Sequence, residues 1–186
     1  MRRVAVLAAA LLALTACTSD ARNPDEPPRT ESTLTACPDQ PDRPAAGGEL
    51  LPDLDLDCPG GGSLDLGRAP GVPTVVNLWG SWCIPCRKEL PILQDFAQGA
   101  GDAVRVVGVI SQDGLPQAES FAHDAEVFFP NAFDGEGDLM IELGLNALPI
   151  TYFLDAAGGV AHVQRKPFTS VDELRALTAQ HLGVQL

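Results

Sequence analysis

The sequence predicts an α/β fold in which helices cover a mixed central sheet, and three observations carry that prediction. Short runs rich in β-branched residues alternate with stretches of helical periodicity through the middle of the chain. Two later apolar runs flank a tight Asp155-Ala156-Ala157-Gly158-Gly159 turn, the signature of an antiparallel hairpin. A helix with a clear start closes the chain, so parallel units and an antiparallel end share one sheet.

Taken in order, the first segment is a leader rather than part of the core. Arg2 and Arg3 precede an apolar stretch, Val4 to Leu14, that is short for crossing a bilayer, and Leu14-Thr15-Ala16-Cys17 closes it. Residues 1–16 read as a secretory signal whose end resembles the lipobox of bacterial lipoproteins. In that reading Cys17 becomes the first residue, carries the lipid, and anchors the protein to the outer face of a bacterial cell membrane. An ordinary signal with an incidental cysteine and an uncleaved anchor are the alternatives. Thr18 to Ala36 holds almost nothing apolar and cannot offset the entropy of ordering itself, so residues 17–36 read as a lipidated cysteine and a flexible tether.

The folded domain is expected over residues 37–186. Leu54 to Cys58 and Ser63 to Leu66 flank the Gly-rich turn Pro59 to Gly62 and read as an added N-terminal β-hairpin. Val72 to Leu78 is a buried strand, and the helix after it carries Cys86, Leu90, Leu93 and Ala97 on one face. A strand over Ala103 to Ile110 and helices over Pro116 to Ala125 and Glu136 to Leu143 follow, a central α/β insertion among them. Ile150 to Leu154 and Val160 to Gln164 are the hairpin arms. Ser170-Val171-Asp172-Glu173 is a capping box for the last helix, whose apolar stripe is Val171, Leu174, Leu177 and Leu182.

Charge narrows the partners. Loss of Arg2 and Arg3 with an acid-free leader takes the formal charge from −13 to −15, which excludes nucleic acid as a partner and describes a soluble acidic surface. His123, His162 and His181 are scattered along the chain and read as surface or structural residues.

The chemistry concentrates at Trp79-Gly80-Ser81-Trp82-Cys83-Ile84-Pro85-Cys86, where the strand hands over to the helix. A thiolate at Cys83 faces unpaired backbone N–H groups and the positive end of the helix dipole, which lower its pKa below the free value of about 8.5. Cys83 is therefore the expected nucleophile, and Cys86, one turn in and shielded, the thiol that resolves a mixed disulfide. Ile84 and Pro85 tune the thiolate, since Pro85 brings no N–H donor. Trp82 shapes the surface around Cys83. A structural zinc site would need a second close-spaced ligand pair, and Cys37 and Cys58 do not make one. In an oxidising compartment those two read as a structural disulfide, stabilising by roughly 3 kcal/mol. The alternative is a second redox pair that relays electrons to Cys83 and Cys86.

From Val75-Val76-Asn77-Leu78-Trp79 through the dithiol to Arg87-Lys88-Glu89-Leu90-Pro91, the sequence closely resembles the TlpA/ResA type of thioredoxin-like proteins, and the likeness extends from about Leu51 to the end. The resemblance implies a thioredoxin-like fold and a membrane-tethered, extracytoplasmic thiol-disulfide oxidoreductase without a cofactor. It implies that Asn77 stands where thioredoxin has a buried Asp and that Glu89 is an acid near the cysteines. On the helix Glu89 follows Cys86 by three residues, so its carboxylate approaches from the same side and is assigned proton handling; a solvated residue paired with a cation is the alternative. Pro91 bends the active-site helix in the family, and Leu148-Pro149 is implied to be a cis bond that exposes the Leu148 backbone to an extended substrate. Arg165-Lys166-Pro167 departs from the family, which often has a glycine there.

The resulting expectation is a monomer that reduces disulfides of exported proteins, in maturation of cytochrome c or of an oxidase copper site, with electrons from a membrane thiol-disulfide donor. Direction stays open, because about 30 mV changes the two-electron equilibrium tenfold, and a disulfide-forming oxidase of the same fold is the first alternative. The second is a copper chaperone using both thiolates and a histidine such as His162, although its usual Cys-x-x-x-Cys spacing is absent. A peroxidase of the Thr-x-x-Cys type fits less well.

Overall fold

The computed structural model describes residues 32–186. The leader, Cys17 and the tether up to residue 31 lie outside the described residues. The elements are β1 (Asp55–Asp57), β2 (Ser63–Asp65), β3 (Thr74–Trp79), α1 (Ile84–Ala100), β4 (Arg105–Ser111), α2 (Leu115–Asp124), β5 (Asn131–Asp134), α3 (Asp138–Glu142), β6 (Ile150–Leu154), β7 (Val160–Gln164) and α4 (Val171–Leu182). Five strands form one sheet in the order β5-β4-β3-β6-β7, and β1-β2 is a separate antiparallel hairpin. β3 pairs parallel with β4 and antiparallel with β6, so the sheet changes character at its central strand. The expected mixed α/β architecture is present.

β3 is buried throughout because both faces of the sheet are covered, so apolar residues stand on both of its faces and the one buried amide, Asn77, is hydrogen-bonded. Val75 and Trp79 point into a core shared with Leu90, Leu93 and Phe96 of α1, Ala118 and Ala122 of α2, and Leu174 of α4. Val76 and Leu78 point the other way, onto Leu56 and Leu64 of the hairpin and Leu139 and Met140 of α3. At the start of α4, Ser170 Oγ accepts from Glu173 N at 3.2 Å, so the N-cap half of the expected box forms, while the Glu173 carboxylate accepts from Thr169 N at 3.0 Å, one residue before the cap.

Three features differ from the sequence expectation. First, β5 has no counterpart in the periodicity, because Asn131 and Asp134 are polar by type yet buried by their partners. Asn131 Oδ1 accepts from Trp79 Nε1 at 2.8 Å, and Asp134 accepts from Asp138 N at 2.8 Å at the start of α3. Second, α3 begins at Asp138 rather than Glu136, since Gly137 sits at φ 79 in the left-handed region. Third, packing begins before Cys37. Leu34 is buried in the α1 core, Ser32 Oγ donates to the Glu119 carboxylate, and Thr35 Oγ1 donates to Phe128 O at 2.7 Å. The last residues assigned to the tether therefore belong to the folded unit.

Candidate active site

The site begins where β3 ends. Gly80 is required there by contact: a Cβ would lie 2.7 Å from Trp82 Nε1 and 3.2 Å from Ser111 O. Trp82 can therefore fold back, and its Nε1 donates to Gln112 O at 2.9 Å while 53% of the residue stays exposed. Asp113 holds the same turn, accepting from Ser81 N, from Ser81 Oγ at 3.1 Å and from Gly114 N at 2.9 Å. Cys83 N then donates to Gly80 O at 3.0 Å, and the chain enters α1.

Cys83 is the N-cap of α1, in extended conformation, and its Sγ accepts from Cys86 N at 3.2 Å. Pro85 lies in the first turn and offers no donor, so the sulfur draws on the helix start through this one N–H. Cys83 and Cys86 are disulfide-bonded with Cα atoms 5.3 Å apart. Both are buried, Cys83 at 4% exposure and Cys86 at 0%, and the exposed side chains of Trp82 and Ile84 make an apolar rim. Cys86 is thus the more deeply buried of the two.

Glu89 is fully buried on the same face of α1 as Cys86. Residues three apart on a helix are neighbours, with Cβ atoms about 5–6 Å apart. The carboxylate is buried, and among the described residues no cation pairs with it: Oε1 accepts from Asn77 Nδ2 at 2.8 Å, and Oε2 from Phe168 N at 2.9 Å. Burial pushes its pKa from 4.5 up to about 7, against the two hydrogen bonds, which pull it down. Asn77 Nδ2 also donates to Thr151 Oγ1 at 2.9 Å, and Asn77 Oδ1 is buried without a partner among the described residues. Phe168 and Thr151 escaped the sequence reading, as did Gln112 and Asp113. None carries a motif, and each acts through one contact distant in sequence.

Pro91 lies inside α1, and the Leu148–Pro149 bond is cis, with Pro149 buried at the start of β6. Cys37 and Cys58 are joined, with Cα atoms 5.9 Å apart. They belong to the core on the hairpin side of the sheet, whereas Cys83 and Cys86 belong to the α1 core. The sheet separates the two disulfides. His162 and His181, far apart in sequence, meet as stacked rings with centroids 4.1 Å apart, and burial together with His181 holds the His162 pKa below its ordinary value. Among the described residues no three His, Cys, Asp or Glu side chains assemble into a metal-binding group, and no helix is long and apolar enough to cross a membrane.

The Redoxin family profile matches residues 45–178. Sporulation thiol-disulfide oxidoreductase A of Bacillus subtilis is 31% identical over 114 residues, 59% of this chain and 68% of that protein. The thiol-disulfide oxidoreductase ResA of Oceanobacillus iheyensis is 28% identical over 109 residues, 58% of this chain and 56% of that one. Among solved structures, a secreted Mycobacterium tuberculosis disulfide oxidoreductase homologous to E. coli DsbE superposes with a TM-score of 0.61 at 25% identity, covering 69% of this chain and 96% of that chain. The fold, the helix-capping dithiol and a profile that spans most of the folded unit agree, and the chain belongs to the Redoxin family as a thiol-disulfide oxidoreductase of the thioredoxin fold.

Proposed function

We propose that the protein is an extracytoplasmic reductase, tethered to the membrane through lipidated Cys17, that keeps cysteine pairs of exported proteins in the thiol form. Its substrates in this reading are apocytochrome c or an oxidase copper-site subunit, and a membrane thiol-disulfide protein resupplies its electrons. The observation that carries the direction is the poverty of donors around Cys83. One N–H, that of Cys86, reaches its sulfur; Pro85 supplies none, and the Arg87 guanidinium lies over the Phe121 ring at 4.6 Å. A thiolate with little stabilisation makes the dithiol form less stable, so the pair gives up electrons readily.

In the forward reaction the Cys83 thiolate attacks one sulfur of a substrate disulfide, and the other substrate sulfur leaves as a thiolate that takes a proton from water. Cys86 then loses its proton to Glu89 and attacks Cys83 Sγ. The mixed disulfide breaks, the second substrate thiolate departs, and the Cys83–Cys86 disulfide remains, two electrons having passed to the substrate. A carboxyl whose pKa is about 7 suits this exchange, being neither permanently charged nor permanently neutral near neutrality. Asn77 serves both states. Its Nδ2 donates to the carboxylate as observed, and rotation of the amide offers the unpartnered Oδ1 to a protonated Glu89, with the Thr151 hydroxyl switching from acceptor to donor.

Equilibration of the dithiol with glutathione or dithiothreitol tests the direction, paired with capture of partners on Cys86→Ser through Cys83. The potential is expected near that of thioredoxin, about −270 mV, with exported cysteine-pair proteins in the trap. A potential near that of a strong oxidant, about −120 mV, would overturn the reductase reading in favour of an oxidase.

A further inference from the structure

Beside the dithiol, on the α2 side, the surface opens into a groove of about 400 Å³. It is lined by Ser81, two residues before Cys83, together with Arg87, Gln117, Ser120, Phe121 and Asp124. Arg87 lies one helical turn beyond Cys83, its N–H donating to Cys83 O at 3.1 Å, and its guanidinium is laid over the Phe121 ring at 4.6 Å. That stacking fixes the cation in place without neutralising it. Among the described residues no carboxylate pairs with it. The carboxylate of Asp113 accepts from Ser81 and Gly114, and that of Asp124, largely exposed and 3.5 Å from His123 Nδ1, remains an acid in the same groove without pairing with Arg87.

The surrounding charge points the same way. Of the eight Lys and Arg in residues 32–186, Arg87 and Lys88 lie on α1 next to the dithiol, and Arg165 and Lys166 lie beside the loop whose Phe168 reaches Glu89. In a chain of formal charge −13, half of the cations in the described residues thus fall on the two segments that carry the dithiol and reach Glu89.

We propose that the groove seats the substrate segment flanking the attacked cysteine, and that Arg87 selects an acidic residue in that segment. The inference rests on the reading that the dithiol acts on cysteine pairs in other proteins, and it names a chemical class among them. Phe121 is a positioning residue in it, holding the guanidinium against the groove floor.

Two disulfide peptides identical except for Glu or Lys on both sides of the attacked cysteine provide the test, each rate being divided by the peptide's own rate with dithiothreitol. The net charge of the protein favours the Lys peptide, so a preference for Glu must arise locally. At low salt we expect the Glu peptide to react about five-fold faster, with the ratio falling as salt rises. Arg87→Gln should bring the ratio to about one or below, Arg87→Glu should invert it, and Phe121→Leu should lower it with the charge retained. Because the ratio is taken within each variant, changes in dithiol reactivity cancel. A wild-type ratio at or below one, or a ratio that survives Arg87→Gln, overturns the inference alone. The dithiol forms of the same peptides, presented to the oxidised protein, give the ratio whichever direction is preferred. No exchange with either peptide in either direction would overturn the proposed function and this inference with it.

Discussion

Replacing Glu89 with Gln separates the proton chemistry of the site from its architecture. Glu89 is fully buried, and its carboxyl titrates at about 7 in the folded protein against 4.5 in an exposed chain. Between those values the folded state holds a proton that the unfolded chain has released, so stability falls as pH rises. The contribution of Glu89 is whole below pH 4.5, shrinks through the window, and is gone above about 7. At about 1.4 kcal/mol per unit, the loss across the window is roughly 3 kcal/mol. The Glu89→Gln variant has no proton to lose at this position and keeps the packing. The oxygen of the new amide accepts from Phe168 N, and its nitrogen donates to Asn77 Oδ1 once the Asn77 amide has rotated, since Nδ2 faces Glu89 in the wild type.

The expected result is a stability difference, variant minus wild type, that rises in favour of the variant by roughly 3 kcal/mol between about pH 4.5 and about pH 8. Urea unfolding of the oxidised protein measures it, and titration of every other group, His162 included, cancels in the difference. The rate of thiol-disulfide exchange should lose its inflection near pH 7 in the variant while both cysteines remain reactive. A stability difference that is flat with pH would refute the reasoning, since it would mean that burial does not govern when Glu89 ionises.

Two further outcomes test the other parts of the molecule. Cys37→Ser with Cys58→Ser opens a loop of sequence separation 21, which should cost roughly 3 kcal/mol in urea unfolding. The potential of Cys83–Cys86 should stay within about 10 mV, because the sheet separates the two pairs; a shift of about 30 mV or more, tenfold in the equilibrium, would mean that the two disulfides are energetically coupled. Leu34→Ala removes a buried side chain from the α1 core and should cost about 2–3 kcal/mol, whereas a change within about 0.5 kcal/mol would show that the segment before Cys37 adds nothing to the fold.

The parts of this protein that the sequence revealed are those whose causes are local. Cys83 as N-cap follows from a β-branched run, a glycine and helical spacing that are contiguous, and Ser170 with Glu173 announces α4 in the same way. β5 was hidden because Asn131 is buried by Trp79, 52 positions away, and no periodicity records such a partner. Leu34 is a single apolar residue among polar ones, too little for a pattern, although its burial moves the start of the folded unit. The stacking of His162 on His181 depends on how α4 lies against β7, and nothing near either residue encodes it.

The same distinction divides the chemistry. The sulfur half of the site is local: Cys83, the N–H of Cys86 and the missing donor of Pro85 all belong to the first turn of α1. The proton half is assembled from four places, with Glu89 on α1, Asn77 on β3, Thr151 on β6 and Phe168 on the loop between β7 and α4. Partners separated by 74 and 79 positions must converge before a buried carboxyl can be held near neutrality. Grafting the dithiol segment onto another scaffold would therefore carry over both cysteines, but not the Asn77, Thr151 and Phe168 surroundings that hold Glu89 in its buried site. In the proposed mechanism thermodynamic direction follows the stability of the Cys83 thiolate, and speed near neutral pH follows Glu89, so substitutions around Pro85 should move the potential while substitutions at Asn77 or Thr151 move the pH at which exchange is fastest.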